Sequence, residues 1–290
     1  MGHDLLVSDA GTRALLAEAE ERLAMPLGRL IREAPESELQ ATENAQPAIV
    51  FHSLALLRRL SDEGVRPQAV VGHSLGEFSG LVAAGGLEPL DALAAVRARG
   101  LAMAKAAPSG TGMAAVLGLD DDAVQAACEK VDGVVPANYN APGQVVVSGS
   151  DAGLEAATPV LLSAGARRVL RLNVSAAFHS PFMQPAAEEF AATWNQVELK
   201  DLGLPQVFNA DASAHQKGTE VRELMVRQLT EAVRFTECVR ELSELGIRRF
   251  VEVGPKRTLT ALVKKIVPSA DVENIEDMSG LAAFTSRVHA

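Results

Sequence analysis

One short stretch limits what this chain can fold into more than any other. Gly72-His73-Ser74-Leu75-Gly76 follows the apolar run Gln68-Ala69-Val70-Val71 and leads into a helical stretch from about Leu75 to Ala84. The spacing fits G-x-S-x-G, a tight turn from a buried strand into a helix, and both flanking elements are the ones that turn requires. In so tight a turn, a side chain at position 72 or 76 is expected to strike neighbouring backbone. Ser74 then projects at the helix N-terminus, where free N–H groups and the positive end of the helix dipole can stabilise an oxyanion. A glycine-rich turn with an incidental serine is the plainer reading, and the strand–turn–helix context weighs against it.

Around this turn, strands and helices alternate. Helices are expected at 11–25, ended by Pro26, at 46–60 from Gln46-Pro47, and at 89–106, where Asp91 comes early and Arg97, Arg99 and Lys105 late, as the helix dipole prefers. Between residues 110 and 175 the order becomes β-α-β-β-α-β. Its strands are expected at 113–117, 134–139, 144–148 and 168–174, with helices from Asp120 and from Asp151. This is the split βαβ of a ferredoxin-like unit. Beyond it come a helix at 181–194, a strand at 205–209, helices at 219–230 and 235–245, a buried strand at 249–253 and a helix at 258–266. Such alternation implies a parallel sheet covered on both faces. The expected fold is α/β. Residues 1–109 and 176–290 form a large catalytic body, and residues 110–175 an inserted ferredoxin-like subdomain.

Composition narrows the function. Of 290 residues 48% are hydrophobic, which excludes a disordered or low-complexity chain. The 37 acidic residues outnumber the 27 basic ones, giving a net charge of -10 and a poor general binder of nucleic acid or anionic membrane. Cys128 and Cys238 stand far apart with no CxxC, so neither a disulfide framework nor a cysteine zinc site is expected. The start, Met1-Gly2-His3-Asp4, is too polar for a secretory signal, and the most apolar stretch, Phe78 to Leu87, is too short to span a bilayer. A soluble, cytoplasmic protein is expected.

A serine hydroxyl needs a base, and there are six histidines. His3 and His289 lie near the ends, His52 sits in a helix, and His215 in a polar loop. His73 adjoins the serine and should leave the turn in another direction. His179 stands out, in Ser175-Ala176-Ala177-Phe178-His179-Ser180-Pro181 between a strand and a helix, where a parallel sheet places its active site. Position alone does not decide for it, and no third acid is evident.

Further motifs agree in order. They are Gln46-Pro47-Ala48, Arg99-Gly100, Asn138-Tyr139-Asn140-Ala141-Pro142-Gly143-Gln144, Val147-Ser148-Gly149, Gln228-Leu229 and Glu252-Val253-Gly254-Pro255. With G-H-S-L-G-E and the distant S-x-x-x-H-S-x-x-M, the chain resembles, from about residue 2 to 267, the malonyl-CoA:acyl carrier protein transacylases. The related acyltransferase domains of polyketide and fatty acid synthases share the pattern.

The resemblance implies an α/β-hydrolase-like body and a ping-pong malonyl transfer that needs no metal or cofactor. Malonyl-CoA and an acyl carrier protein would be the partners, and a monomer is expected. It implies Ser74 as nucleophile, His179 as base, Gln228 as the residue whose main-chain carbonyl orients that base, and the Leu75 N–H as an oxyanion donor. Arg99 would hold the malonyl carboxylate through two parallel hydrogen bonds. Without the resemblance it would read as a solvated helix arginine like Arg97. His73, Asn140 and Phe178 would line the substrate site. The Phe178 ring would crowd an α-methyl branch, a discrimination worth about 1–3 kcal/mol. Arg167, Arg168, Lys264 and Lys265 match the proposed carrier-docking surface; a solvated basic edge is the plainer reading.

The resemblance also departs at the start. The family opens with an apolar strand ending in G-Q-G-S-Q, whose first glutamine helps form the oxyanion hole. Met1-Gly2-His3-Asp4-Leu5 resembles the segment after it. This implies that the family's first strand is missing, leaving a gap in the sheet, and that one oxyanion donor is lost, costing about a hundredfold or more in rate. Two other readings stay open. One is a serine esterase or thioesterase of α/β-hydrolase type, which predicts a carboxylate on the histidine. The other is a non-catalytic form that binds CoA or a carrier protein.

Overall fold

The computed structural model describes residues 3–289. The polar start read at Met1 and Gly2 lies outside the described residues. No helix among the described residues is long and apolar enough to cross a membrane.

Two helices, Thr42–Asp62 and Pro89–Ala106, form the centre of the body, and their sequences explain how closely they cross. The first begins earlier than Gln46-Pro47 suggested, so Pro47 lies inside it. Proline has no N–H to give the carbonyl four residues back. That carbonyl, of Glu43, instead accepts from Arg97 Nη1 at 2.6 Å. Arg97 is therefore a partner of the helix break and not a solvated arginine. Gly100 sits at the crossing, where a Cβ would come within 2.8 Å of Glu43 Cα. Close contact brings Gln46 and Arg99 face to face. Nearby, Phe78, Phe190 and Trp194 pack ring to ring with centroids 5.8–6.1 Å apart, all fully buried. Each such ring contributes about 1.5–3 kcal/mol by leaving water, and Phe78 anchors the helix Gly76–Ala83 that carries the serine turn.

The described residues form nine strands: β1 Val70–Val71, β2 Thr111–Leu117, β3 Val134–Ala141, β4 Gln144–Ser150, β5 Arg168–Arg171, β6 Gln206–Val207, β7 Ala214–His215, β8 Arg249–Val253 and β9 Asp271–Ile275. The fold is α/β with mixed sheets. The single parallel sheet expected for the body is found in two pieces. β1 pairs parallel with β6, which pairs antiparallel with β7, while β8 pairs parallel with β9. One apolar cluster, with Val207, Phe235, Phe250 and Val272 buried and Val71 against them, joins the two. β7 was not expected: its two residues return through a tight turn in which Ala212 takes φ 56°. β9 and the helix Met278–Val288 lie past the last motif and were also not expected. Three further helices were not expected: His3–Ser8, Leu27–Arg32 and Glu36–Gln40.

Residues 110–175 hold the four-stranded antiparallel sheet, in the order β3-β4-β2-β5, with helices Asp121–Cys128 and Asp151–Ser163. Val116, Val124, Val145, Val147, Leu154 and Leu161 give this unit its own core. β3 is bulged between Pro136 and Asn138 and again between Tyr139 and Ala141. Bulges free backbone groups from the ladder. Here they are used by the body: the Val233 N–H donates to Ala137 O at 2.8 Å, and the Tyr139 N–H to Val233 O at 2.9 Å. The end of β3 is thereby fixed to the segment that leads into the helix Phe235–Glu244.

Candidate active site

Ser74 takes φ 50°, in the left-handed region that favours glycine, at the tip of the turn between β1 and the helix Gly76–Ala83. Gly72 has no room for a side chain, since a Cβ would lie 2.1 Å from Glu77 N and from the Gly76 carbonyl carbon. Gly76 differs from expectation: a Cβ there meets nothing within 4 Å, because the first residue of the helix points into open space. Only one of the two glycines is required by sterics. Beyond the serine, no acceptor among the described residues takes the Leu75 N–H, whereas the Ser74 N–H is held by Asn209 Oδ1 at 2.6 Å.

His179 lies at φ 55°, also left-handed, and turns its ring onto the serine. Its Nδ1 is 2.8 Å from Gln228 O, and its Nε2 is 2.8 Å from Ser74 Oγ. A carbonyl can only accept, so Nδ1 carries the hydrogen and Nε2 presents a lone pair to the serine O–H. Burial first, and then the Arg99 charge, push the imidazolium down to about 3, so the ring is a free base at neutral pH.

Arg99 is fully buried beside them. Nη1 donates to Gln46 Oε1 at 2.8 Å, and Nη2 to Gln228 Oε1 at 2.8 Å and to Ser74 Oγ at 2.9 Å. Its Nε is buried and has no partner among the described residues. Burial brings the guanidinium down to about 10 against the pull of Glu77, so it stays charged at neutral pH. Glu77 is itself 1% exposed. Burial pushes its carboxyl up to about 8, opposed by the Asn209 N–H, the Gln228 amide and Arg99. Gln228 touches every member of the group: its carbonyl takes His179, its Oε1 takes Arg99, and its Nε2 reaches Ser74 O at 3.0 Å and Glu77 Oε2.

The other sequence candidates fall around this centre. His73 leaves the turn in another direction, as expected, with its ring 5.2 Å from that of Phe235. Its Nε2 donates to Asn140 Oδ1 at 2.7 Å, so these two residues satisfy each other and link the end of β3 to the serine turn. The Phe178 carbonyl accepts from Ser148 Oγ on β4 at 2.5 Å, which fixes the residue next to His179. Arg167 and Arg168 are exposed at the start of β5, and Lys264 and Lys265 are exposed in the last turn of the helix Thr258–Ile266. His52 is bound to Glu276 O at 2.7 Å, and His215 is held between Asp211 and Glu220 at 2.8 and 2.9 Å. Neither reaches the site. Sequence reasoning missed Gln46 as a partner of Arg99, and missed Glu77 and Asn209 entirely. Glu77 left one signal, a lone charge in the first turn of an apolar helix.

The comparisons with known proteins bear on what this arrangement does. The model of the family described as acyl transferase domain matches residues 1–283. The chain belongs to the acyl transferase domain family. Among relatives of this acyltransferase, the malonyl CoA-acyl carrier protein transacylase of Bacillus subtilis (strain 168) is 39% identical over 287 residues, 95% of this chain and 90% of that protein. The crystal structure of an acyl carrier protein S-malonyltransferase from Vibrio cholerae superposes with a TM-score of 0.94 at 36% identity, covering 98% of this chain and 94% of that one. A malonyl-transacylase in complex with its type II PKS acyl-carrier protein superposes with a TM-score of 0.95 at 36% identity, covering 99% and 94%.

Proposed function

We propose that this acyltransferase moves a malonyl group from malonyl-CoA to the phosphopantetheine thiol of an acyl carrier protein through a malonyl-Ser74 intermediate. The observation that carries the reading is the position of Ser74 Oγ, 2.8 Å from a neutral His179 Nε2 and 2.9 Å from the Arg99 guanidinium. His179 takes the serine proton as Oγ attacks the thioester carbonyl. The oxyanion receives the Leu75 N–H, and the Gln228 carbonyl steadies the imidazolium. Collapse of the tetrahedral adduct breaks the C–S bond, and His179 returns the proton to the departing CoA sulfur. The carrier thiol then gives its proton to His179 and attacks the acyl-serine. Collapse returns Oγ to Ser74 with that proton.

Arg99 is the residue for the malonyl carboxylate. Its planar fork suits a carboxylate, and its Nε is free. Phe178 crowds a branched acyl group. His73 and Asn140 line the approach as a bonded pair. The basic positions Arg167, Arg168, Lys264 and Lys265 receive the acidic carrier. Residues 110–175 act as the smaller, ferredoxin-like wall of the cleft over an α/β-hydrolase-like body at 1–109 and 176–290, a division that the strand order β3-β4-β2-β5 supports. An esterase with a carboxylate on its histidine is disfavoured, since Nδ1 binds a main-chain carbonyl. Incubation with radiolabelled malonyl-CoA tests the reading: wild type acquires one label and Ser74→Ala none. Equal labelling of the two ends it.

A further inference from the structure

Where the chain leaves β1 it loses its ladder partners, so the polar groups of the serine turn must find others. One side chain supplies two of them. Asn209, fully buried just after β6, accepts the Ser74 N–H on Oδ1 at 2.6 Å and donates from Nδ2 to Gly72 O at 2.8 Å. β1 and β6 are paired strands, so this carboxamide continues their pairing through the turn in the way a peptide group would. Asn209 is held in its turn by its own N–H, which donates to Glu77 Oε1 at 2.5 Å, and Glu77 Oε2 binds the Gln228 amide. Asn209 itself bonds to none of Ser74 Oγ, His179 and Arg99; it is connected to them only through Glu77 and Gln228.

We propose that Asn209 is a positioning residue for acyl transfer: its side-chain amide holds Ser74 in the left-handed conformation that aims Oγ at His179. This rests on Ser74 being the nucleophile. The brace has a second consequence. It consumes the Ser74 N–H, so that of the two amides at the turn only that of Leu75 is open to an oxyanion. A displacement of about 1 Å at a nucleophile can cost about a hundredfold in rate, far more than substrate binding would register.

The test is rapid-quench formation of the malonyl-enzyme, run beside labelling by a serine-directed fluorophosphonate, on wild type, Asn209→Leu and Asn209→Asp. Leucine has nearly the same shape and makes neither hydrogen bond. Aspartate keeps the acceptor for the Ser74 N–H and donates to Gly72 O only when protonated. Expected are a roughly hundredfold loss of acylation rate for Asn209→Leu and roughly tenfold for Asn209→Asp, both with KM for malonyl-CoA within about threefold and near-ultraviolet dichroism unchanged. The aspartate variant should also lose rate as pH rises, which wild type does not. Folded variants that acylate at the wild-type rate overturn the proposal, and so does loss of fold in both, which would make the role purely structural. Wild type that fails to label on Ser74 instead overturns the underlying reading of the nucleophile.

Discussion

Arg99 Nη2 and Ser74 Oγ lie 2.9 Å apart, so a buried cation bears directly on the hydroxyl that also meets His179 Nε2. After burial, the same cation is the next cause that holds the imidazolium down. The serine, imidazole and guanidinium therefore form one electrostatic unit, in which the donors that the proposed function assigns to a substrate carboxylate are turned toward the serine.

Replacing Arg99 should change which acyl group the serine accepts. Arg99→Lys keeps a charge but loses the fork, and malonyl transfer should fall about a hundredfold; Arg99→Ala should fall further, since removing one partner of a buried charge pair costs about 2–5 kcal/mol. Acetyl-CoA has no carboxylate to lose, so the ratio of acetyl to malonyl acylation should rise in both. The fold should survive because Glu77, pushed up to about 8, is mostly protonated at neutral pH and is not left as an unpaired buried charge. Acyl-enzyme formation from the two labelled thioesters measures the ratio, and an unchanged ratio removes Arg99 from carboxylate recognition.

Two buried groups tilt stability with pH in opposite directions. His179 is held down to about 3 in the fold, against about 6.5 in an open chain. Between these values the unfolded chain binds more protons, so stability falls as pH falls. Glu77 is pushed up to about 8, against about 4.3 when unfolded, so stability falls as pH rises through that window. The slopes offset each other from about pH 4.5 to 6.5. Above that, Glu77 contributes up to about 1 kcal/mol per pH unit, and His215, held above its ordinary value against its partial burial by Glu220 and Asp211, acts in the same direction. Glu77→Gln should flatten the decline between about pH 6.5 and 8 in urea titrations. A variant curve as steep as wild type assigns the decline elsewhere.

The serine turn was legible because its signal is local: an apolar run, glycine at a position that admits no Cβ, and a helix. The reason offered for Gly76 was not correct, since what a Cβ meets depends on neighbours that spacing does not give. His179 stood out among six histidines by its place between a strand and a helix, but position alone did not decide for it, because its contact with Ser74 rests on a left-handed backbone and on Gln228, 49 residues away. Asn209 was invisible for the same reason, its partner Ser74 being 135 residues distant. The antiparallel sheet was nearly complete in the sequence because hairpin and helix periods alternate within a short stretch. The body's sheet was not, since β1 and β6 are two residues long and their pairing is set by long-range packing.

The two glycines of the turn should respond differently to the same methyl group. Gly72→Ala drives a Cβ to 2.1 Å from backbone that cannot move without unwinding the helix start, so a loss of about 1–3 kcal/mol or more and a collapse of serine labelling are expected. Gly76→Ala meets open space in the first turn of a helix, where alanine is the better residue, and should be neutral or slightly stabilising. Chemical denaturation and fluorophosphonate labelling of both variants decide this, and equal effects would contradict the geometry.

The two half-reactions should separate at the basic surface. On the proposed function, acylation of Ser74 by malonyl-CoA uses the buried group around the serine, whereas transfer to a carrier also needs an acidic protein to approach. Arg167, Arg168, Lys264 and Lys265 are exposed, whereas the group around Ser74 is buried, so reversing their charge should leave the first half-reaction alone. Charge complementarity of this kind acts mainly on encounter and weakens with salt. Arg168→Glu and Lys265→Glu should therefore raise KM for the carrier several-fold and flatten its dependence on ionic strength, with the malonyl-enzyme burst unchanged. If neither substitution alters KM for the carrier while the burst stays normal, the positions are a solvated basic edge and the carrier docks on another face.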